Sequence, residues 1–345
     1  MIPPRTLWSA LLLLLAAGCA SEAPHTLSRH EFERAEMGLP FRLVIYAPDA
    51  IEARRAFEAA FGRIRELNAS LSDYEENSEL SRLSRSSGSG RWVPLGSDLS
   101  RVLRAADAIS RESDGTFDVT VGPLVQLWRR ARRQRELPAE APLEAARAAT
   151  GWTNLLLRRS GSGWEARLIQ PGMRLDLGGI AKGYALDEAA VVLRREGLDR
   201  FLISGGGDIV VGDPPPGMPG WRVEVGVFDG PNPPPSRFVR LRNEALATSG
   251  DSFQRAEIGG RRYSHIVDPR TGIGLTDHSL VTVIAPTGMQ ADALSKVVGV
   301  LGAERGWPIA RRHHAEVFVL RMPDAVVEQW KSPGFDRWVD SKAAP

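Results

Sequence analysis

The sequence predicts an α+β fold in a single domain. Strand-like and helix-like segments alternate irregularly, whereas a doubly wound parallel sheet needs regular strand–helix units. The 345 residues include 34 glycines and 24 prolines, which imply too many turns for a helical bundle. No internal repeat and no long linker divides the chain. We therefore expect one unit over residues 31–345, preceded by a tether over residues 19–30.

The composition excludes several classes of protein. Lys and Arg number 44 against 42 Asp and Glu, so a nucleic-acid binder driven by bulk charge is excluded. Hydrophobic residues make up 43% and charged residues 25%, which is too apolar for a disordered chain. The single cysteine, Cys19, excludes an intrachain disulfide and a cysteine-based zinc or iron–sulfur site.

Residues 1–18 have the pattern of a signal peptide. Arg5 supplies a positive charge, and the apolar run of about eleven residues that follows is too short to span a bilayer. Small residues then lead into Cys19, as in a bacterial lipobox, where the cysteine is lipidated and becomes the new N-terminus. The other interpretation is an ordinary secretory peptide with an incidental cysteine. A lipobox implies a lipid anchor on the periplasmic face of a membrane, inner or outer.

Apolar spacing predicts the elements of the first part of the chain. Residues 41–47 have a strand pattern, and residues 50–67 a helical pattern with Asp49 as N-cap. Further helices are predicted over 98–112, 123–135 and 182–196, and strands over 153–158, 164–168, 173–177, 200–204 and 208–212. Five arginines between residues 129 and 135 indicate either a solvated surface or a contact for an anionic partner.

The last third of the chain is predicted to be richer in strands. Proline-rich loops cover residues 213–220 and 230–236, because proline lacks the backbone donor that a strand ladder needs. The other predicted elements are strands over 221–227, 237–242, 262–267 and 279–285, a helix over 289–302, and a tail with one helix and two strands.

Two glycine-rich segments are candidates for a ligand site. Gly178 and Gly179 lie between a strand predicted to end at Asp176 and a helix that carries Lys182. Such a turn admits close backbone approach, and a helix N-terminus favours phosphate, although plain turn chemistry explains it too. Residues 205–207 are three consecutive glycines, which indicate close contact either with a ligand or with another strand.

Two further segments carry ionisable side chains. His265 precedes the turn sequence DPRTG at 268–272, and the ordinary pKa of a histidine suits proton transfer near neutral pH. A structural histidine is the alternative. Asp292 is flanked by small and apolar residues near a helix start, which predicts either a specific partner or a capping role.

Three more segments complete a family pattern. They read EMG at 36–38, LSDY at 71–74 followed by SELSRL at 78–83, and GTFDVTVGPLV at 115–125. Together with the four segments above, in order and spacing from about residue 35 to 302, they resemble the ApbE family of bacterial FAD:protein FMN transferases. A lipobox also fits this family, since many members are lipoproteins.

The resemblance implies a single α+β domain with two lobes around a deep FAD cleft, and it implies roles for particular residues. Residues that would line the flavin or adenine side are Met37, Tyr74, Thr116, Phe117 and Asp118. Asp176 and Lys182 would contact FAD, and Ile266 would pack near it. The Gly179 carbonyl and Asp292 would bind Mg²⁺ beside the diphosphate.

The implied reaction moves FMN from FAD, the substrate, to a threonine hydroxyl of a partner protein and releases AMP. The implied acceptors are Thr-bearing proteins of membrane redox complexes. Attack on a diphosphate requires neutralisation of its charge, which Mg²⁺ supplies. The threonine also needs a base, for which His265 is the candidate, with Asp268 or Asp251 as orienting groups.

One position departs from the family pattern. The family has a metal-binding Thr four residues after the metal-binding Asp, and here that position is Lys296. Three outcomes stay open. Lys296 points away and Ser295 or water fills in for the missing ligand, or its ammonium pairs with Asp292 and replaces part of the metal's charge, or the site has lost metal and activity. Besides the transferase, two alternatives therefore stay open: a non-catalytic periplasmic FAD carrier and an FAD diphosphatase.

Overall fold

The computed structural model describes residues 26–228, 235, 237–251, 255–323 and 326–340. Its strands are β1 Ser28–Glu36, β2 Leu39–Ala47, β3 Val93–Leu95, β4 Leu155–Ser160, β5 Gly163–Leu168, β6 Phe201–Gly205, β7 Asp208–Val211, β8 Trp221–Val225, β9 Arg237–Leu241, β10 Ala245–Gly250, β11 Arg255–Ile258, β12 Arg261–Ser264, β13 Ser279–Ala285, β14 Glu316–Arg321 and β15 Glu328–Lys331. Its helices are α1 Ala50–Leu71, α2 Glu79–Arg85, α3 Ser97–Glu112, α4 Gly122–Gln134, α5 Glu140–Ala148, α6 Ala181–Arg195, α7 Gly288–Leu301 and α8 Ala303–Arg312.

An eight-stranded antiparallel sheet forms the centre of the fold. Its strand order is β1-β2-β6-β7-β10-β13-β14-β15, and every neighbouring pair is antiparallel. Because antiparallel strands need no crossover helix between neighbours, helices and strands follow one another irregularly along the chain. The predicted α+β class is confirmed.

The side chains of β2 show how the sheet is covered on both faces. Leu43 and Ile45 point into the larger apolar core, which α1, α6 and α7 complete. Val44, on the opposite face, packs in a second core with residues of the β8–β9 hairpin such as Trp221 and Val239. This two-residue alternation is what a strand buried on both faces requires.

A third, smaller core lies beside the main sheet. It joins α4 and α5 to the β11–β12 hairpin, with the Trp128 and Tyr263 rings 5.4 Å apart. The Trp128 indole nitrogen donates to the Ser264 carbonyl at 2.9 Å. These contacts fix the end of β12, from which the chain continues to His265. Within the part of the chain that the structure describes, no helix is long and apolar enough to cross a membrane.

Several predicted boundaries need correction. The tether predicted over 19–30 is wrong at its end, because β1 begins at Ser28; the signal peptide and Cys19 lie outside the described residues. The strand predicted over 173–177 is absent from the described fold, where this stretch forms only a bridge between Arg174 and Val121. Elements that the sequence analysis did not predict are β1, β3, β10, β11, α2 and α5.

Candidate active site

Two buried aspartates and a lysine meet at the N-terminal end of α6. The Lys182 Nζ atom lies 2.9 Å from Asp208 Oδ2 and 3.2 Å from each carboxylate oxygen of Asp292. Asp208 and Asp292 are 1% and 0% exposed, so the lysine holds two carboxylates that are shielded from water. Three segments singled out in the sequence therefore form one site: the turn before Lys182, the three glycines at 205–207 that precede Asp208, and the helix start at Asp292.

Close packing of α6 against α7 brings Lys182 to Asp292. A Cβ atom on Gly183 would lie 2.0 Å from the Gly288 carbonyl oxygen, so only glycine allows the helices to approach this closely. The Gly183 N–H donates to Asp292 Oδ2 at 3.2 Å. Across the same contact, Asp187 accepts hydrogen bonds from the Gly288 and Met289 N–H groups at 2.7 and 2.9 Å. Asp187 thus satisfies the N-terminus of α7 and fixes Asp292 opposite Lys182.

Lys296 adds a second ammonium to Asp292. It lies one helical turn further along α7, and its Nζ atom contacts Asp292 Oδ1 and lies 3.3 Å from Ser295 Oγ. The Lys296 side chain passes Gly179, where an added Cβ would be 3.5 Å from Lys296 Cγ and 3.3 Å from the Phe117 ring. The predicted metal residues Gly179 and Asp292 are therefore brought together, with Lys296 beside both.

These residues do not fit a Mg²⁺ ion. Mg²⁺ requires oxygen ligands at about 2.0–2.1 Å in octahedral geometry. Both carboxylate oxygens of Asp292 already accept hydrogen bonds from the chain, and a charged lysine repels a cation. In the described residues no group of three or more His, Cys, Asp or Glu side chains is arranged to hold a metal.

Burial and charge act in opposite directions on the two carboxylates. Burial, together with the neighbouring charge of Asp292, raises the pKa of Asp208 to about 6. For Asp292, burial raises the pKa, but the ammonium groups of Lys182 and Lys296 lower it further, so its net shift is downward. The two carboxylates raise the pKa of Lys182 in spite of its burial. Asp292 and Lys182 are therefore both charged at neutral pH.

A second charged group surrounds Asp176. Arg129 donates to Asp176 Oδ2 at 2.8 Å and to Asp73 Oδ2 at 2.6 Å, and its guanidinium lies 4.3 Å from the centre of the Tyr74 ring. Burial raises the pKa of Asp176, whereas the charges of Arg129 and Lys182 lower it, which links the two groups electrostatically. Arg129 thus joins two predicted FAD residues, Asp176 and Tyr74.

The loop after α3 brings one predicted residue to the lysine site. The Phe117 ring lies against Gly179, while the Phe117 N–H donates to Ser113 Oγ at 3.1 Å. Asp118 Oδ1 instead accepts from the N–H and hydroxyl of Thr120, both at 2.7 Å, and burial raises its pKa. Asp118 therefore organises the loop, and Thr116 is buried within it.

The β1–β2 turn reaches the site through Leu39. Met37 has a positive φ of 50° in this turn and is partly buried against the main core. A Cβ on Gly206 would lie 2.7 Å from a Leu39 methyl group and 3.4 Å from the Lys182 stem. The close approach predicted for the three glycines is therefore made, at Gly206, by side chains of the chain itself.

His265 and Ile266 lie between β12 and the DPRTG turn. Both are partly buried, and the Ile266 N–H donates to Ser264 Oγ at 3.1 Å. The two residues predicted to orient His265 bind other groups. Asp268 accepts from the Arg270 guanidinium at 2.9 and 2.8 Å. Asp251 is likewise engaged with other side chains, and the orienting role of either aspartate stays a prediction.

Asp251 belongs to a separate buried group that the sequence analysis did not identify. It accepts a hydrogen bond from His278 Nδ1 at 2.6 Å and also pairs with Arg262. The His278 ring stacks on Phe228 at 4.3 Å. Asp208 and Arg129 were also missed as site residues. For Asp208 a signal was present, because it directly follows the three glycines.

Comparison with known proteins identifies relatives along most of the chain. A family model described as the ApbE family matches residues 37–320. A protein of Salmonella typhimurium named FAD:protein FMN transferase is 32% identical over 340 residues, covering 95% of each chain. A protein of the same name from Escherichia coli is 31% identical over 85% of each chain.

Solved structures agree with this result. The flavin transferase ApbE from Vibrio cholerae superposes with a TM-score of 0.80 at 27% identity, over 91% of this chain and all of that one. The apo flavinyl transferase ApbE of Pseudomonas stutzeri gives a TM-score of 0.78 at 27% identity, over 90% and 97% of the two chains.

Proposed function

The chain belongs to the ApbE family, and from this membership we propose that it is an FAD:protein FMN transferase. One observation of the fold carries the proposal. Lys182 and Lys296 converge beside the Gly178–Gly179 turn, where two ammonium groups can attract a diphosphate. Both lysine side chains are 16% exposed, whereas the aspartates beneath them are almost fully buried. The two lysine side chains are therefore the more accessible part of the site.

The proposed reaction is one phosphoryl transfer. The hydroxyl oxygen of an acceptor threonine attacks the FMN-side phosphorus of FAD, forming a new P–O bond. The bond between that phosphorus and the bridging oxygen breaks, and AMP leaves with the bridging oxygen. The threonine proton is taken up by a base, so atoms and charge balance without any oxidant or reductant.

His265 is the proposed base. It follows β12, whose end is fixed by the Trp128 contact with Ser264, and the DPRTG turn comes directly after it. Histidine side chains in general can accept a proton near neutral pH. The Asp176 group, with Tyr74 stacked on Arg129, is the proposed contact for the rest of FAD.

Mg²⁺, which the family resemblance implies, is not included in this proposal. We leave Mg²⁺ out because the carboxylate that would bind it, Asp292, pairs with two ammonium groups. No step of the proposed reaction passes through a metal.

Acceptor and location form a further part of the proposal. The proposed acceptors are Thr-bearing proteins of membrane redox complexes, and the proposed location is the periplasmic face of a bacterial membrane, with the lipid on Cys19. A Cys19→Ser variant is expected to move from the membrane fraction to the soluble periplasm. Retention of this variant in the membrane fraction would argue against the anchor.

The test of the activity uses purified protein, FAD and the Thr-bearing domain of a bacterial flavin-accepting redox subunit. A Thr→Ala version of that domain is the matched control. AMP together with flavin covalently bound to the wild-type acceptor supports the transferase. AMP together with free FMN would instead indicate a diphosphatase, and intact bound FAD a carrier.

A further inference from the structure

We propose that Lys296 takes the place of a divalent metal ion at the diphosphate site, so that FMN transfer by this chain requires no metal. The inference rests on the proposed function and adds to it the source of the positive charge. It is carried by the position of Lys296, its contacts, and the charge balance of the residues around it.

The Asp292 carboxylate is fully occupied by groups of the chain. Oδ1 contacts the ammonium groups of Lys182 and Lys296, and Oδ2 accepts from Lys182 and from the Gly183 N–H. A metal could bind Asp292 only by displacing at least one of these donors. It would then lie beside at least one positively charged lysine.

The site is also electrically balanced without a metal. Asp208 and Asp292 provide two negative charges when ionised, and Lys182 and Lys296 provide two positive charges. In the absence of FAD, a divalent ion would add two positive charges with no carboxylate to offset them. A bound diphosphate would face two partly exposed ammonium groups, which are suited to charge-assisted hydrogen bonds with its oxygens.

Residue choice supports a specific role for lysine. Of the 44 basic residues only four are lysines, at positions 182, 296, 331 and 342, and two of them meet at Asp292. Arginine is a broad planar fork, whereas the lysine ammonium is a compact point charge with three donors. The chain therefore places its rare compact cations where a metal ion's charge would be needed.

The Lys296 ammonium has capacity left for a substrate oxygen. Two of its three N–H bonds are directed to Asp292 Oδ1 and Ser295 Oγ, which leaves one for a phosphate oxygen. Ser295 is itself held by Ser249 Oγ at 2.7 Å and by the Asp292 carbonyl at 2.7 Å. Asp292 and Ser295 thus fix the position of the Lys296 ammonium, as ligands fix the position of a bound metal ion.

In the transfer step the two lysines attract the non-bridging oxygens while the threonine–phosphorus bond forms. The phosphorus–oxygen bond to AMP breaks, and the same ammonium groups attract the departing AMP. Neither lysine gains or loses a proton in this step, and no external cation enters the balance.

The experiment compares two variants of Lys296 with a surface control. Lys296→Thr supplies an oxygen ligand in place of the ammonium, and Lys296→Met removes the charge without supplying one. Lys331→Thr is the control, because Lys331 pairs with Asp336 on the surface. Initial rates of FMN transfer are measured in EDTA and in excess Mg²⁺, and Mn²⁺ binding is measured by calorimetry without FAD.

The proposal predicts equal rates in EDTA and Mg²⁺ for the wild type and for Lys331→Thr, and no Mn²⁺ binding to either. Lys296→Thr should be at least 10-fold slower in EDTA, recover with Mg²⁺, and bind Mn²⁺. Lys296→Met should be slow in both conditions. A wild type that requires Mg²⁺, or that binds Mn²⁺ in a manner unchanged by Lys296→Thr, would overturn the inference and leave the transferase proposal intact.

If no protein transfers FMN under any condition, the proposed function fails, and calorimetry alone then decides the metal question. If Lys296→Thr binds Mn²⁺ and the wild type does not, the result supports the proposal that Lys296 occupies the position of the cation. Mn²⁺ binding by the wild type at Asp292 contradicts it.

Discussion

Lys182 Nζ lies 2.9 Å from Asp208 Oδ2 and joins the first turn of α6 to the start of β7. The same ammonium contacts Asp292 on α7, so one side chain connects three separate segments. Because Asp208 and Asp292 are buried, their ionised forms depend on this lysine and on Lys296 for compensation. The site is therefore a stabilising element of the fold as well as a cationic surface.

Replacement of Lys182 by Met should destabilise the fold and weaken FAD binding together. Loss of one partner of a buried ion pair costs about 3–5 kcal/mol, and the diphosphate loses one of two cations. Urea unfolding and flavin-fluorescence titration measure the two effects. Lys331→Met, at an exposed pair, should change stability by less than about 1 kcal/mol. Equal effects of both substitutions would contradict this account.

Asp187 should give the protein a measurable pH dependence. Burial raises the pKa of Asp187 to about 6, although the Gly288 and Met289 N–H groups lower it. Since its pKa in the unfolded chain is about 3.9, the folded state binds more protons between about pH 4 and 6. This group therefore makes stability fall as pH rises through that range.

Asp187→Asn should remove that contribution. The free energy of unfolding of the variant, taken relative to that of the wild type, should rise by on the order of 1–2 kcal/mol from pH 4 to pH 7. Urea unfolding at both pH values measures this difference. Asp336→Asn, at the exposed pair with Lys331, is the control and should show no such gain. A constant difference between wild type and Asp187→Asn at the two pH values would show that Asp187 titrates normally.

Gly183→Ala and Gly299→Ala should have opposite effects on stability. The Gly183 Cβ would lie 2.0 Å from the Gly288 carbonyl oxygen, so the α6–α7 contact must open, at about 3 kcal/mol or more. At Gly299, within α7, an added Cβ would have no atom within 4 Å apart from its chain neighbours and the backbone of its own helix. Alanine there should stabilise by roughly 0.5–1 kcal/mol through helix propensity. Thermal unfolding separates the two, and similar losses for both would exclude close packing as the cause.

Arg129→Ala should reduce FAD affinity and stability. It removes the cation that holds Asp176 and Asp73 and that stacks on Tyr74, at a cost of about 3 kcal/mol because Asp176 is buried. Arg133, exposed on the same helix, provides the control, and Arg133→Ala should change stability by less than about 0.5 kcal/mol. Unaltered FAD binding by Arg129→Ala would remove the Asp176 group from the proposed site.

His265→Ala should abolish FMN transfer while leaving FAD binding largely intact, because a base acts on the threonine and not on FAD. Rates with the Thr-bearing acceptor and FAD titration measure the two properties. His313→Ala, at the surface contact with Glu112, should retain both. An unchanged transfer rate in His265→Ala would exclude it as the base.

Helices and strands whose own residues mark their ends or buried faces were predictable from the local sequence. Asp49 accepts hydrogen bonds from the Ile51 and Glu52 N–H groups, so the start of α1 was predictable from an N-cap residue. The end of α1 lacks such a signal, because no glycine or proline follows it. The helix was therefore predicted to end at residue 67, whereas it ends at Leu71. The edge strand β1 was missed because exposed polar residues dominate it.

Other features depend on distant parts of the chain. Met173, Leu175 and Leu177 alternate inward as in a strand, which explains the wrong prediction over 173–177. Their backbone binds groups outside the sheets instead; for example, the Leu175 N–H donates to Ser84 Oγ on α2 at 3.1 Å. Likewise, no local pattern places Asp208 against Lys182, since only the sheet order and the α6–α7 contact bring them together.

The most direct test of the account is a crystal structure of the protein with FAD. The account predicts an oxygen of the FAD diphosphate within hydrogen-bonding distance, about 2.7–3.2 Å, of the Lys296 Nζ atom, on the side of Asp292 where Lys182 also lies. The flavin or adenine should then lie toward Phe117 and Asp176. FAD bound elsewhere, for example in the cavity lined by Leu301, Arg305 and Trp330, with both lysine–Asp292 contacts free of phosphate, would contradict it.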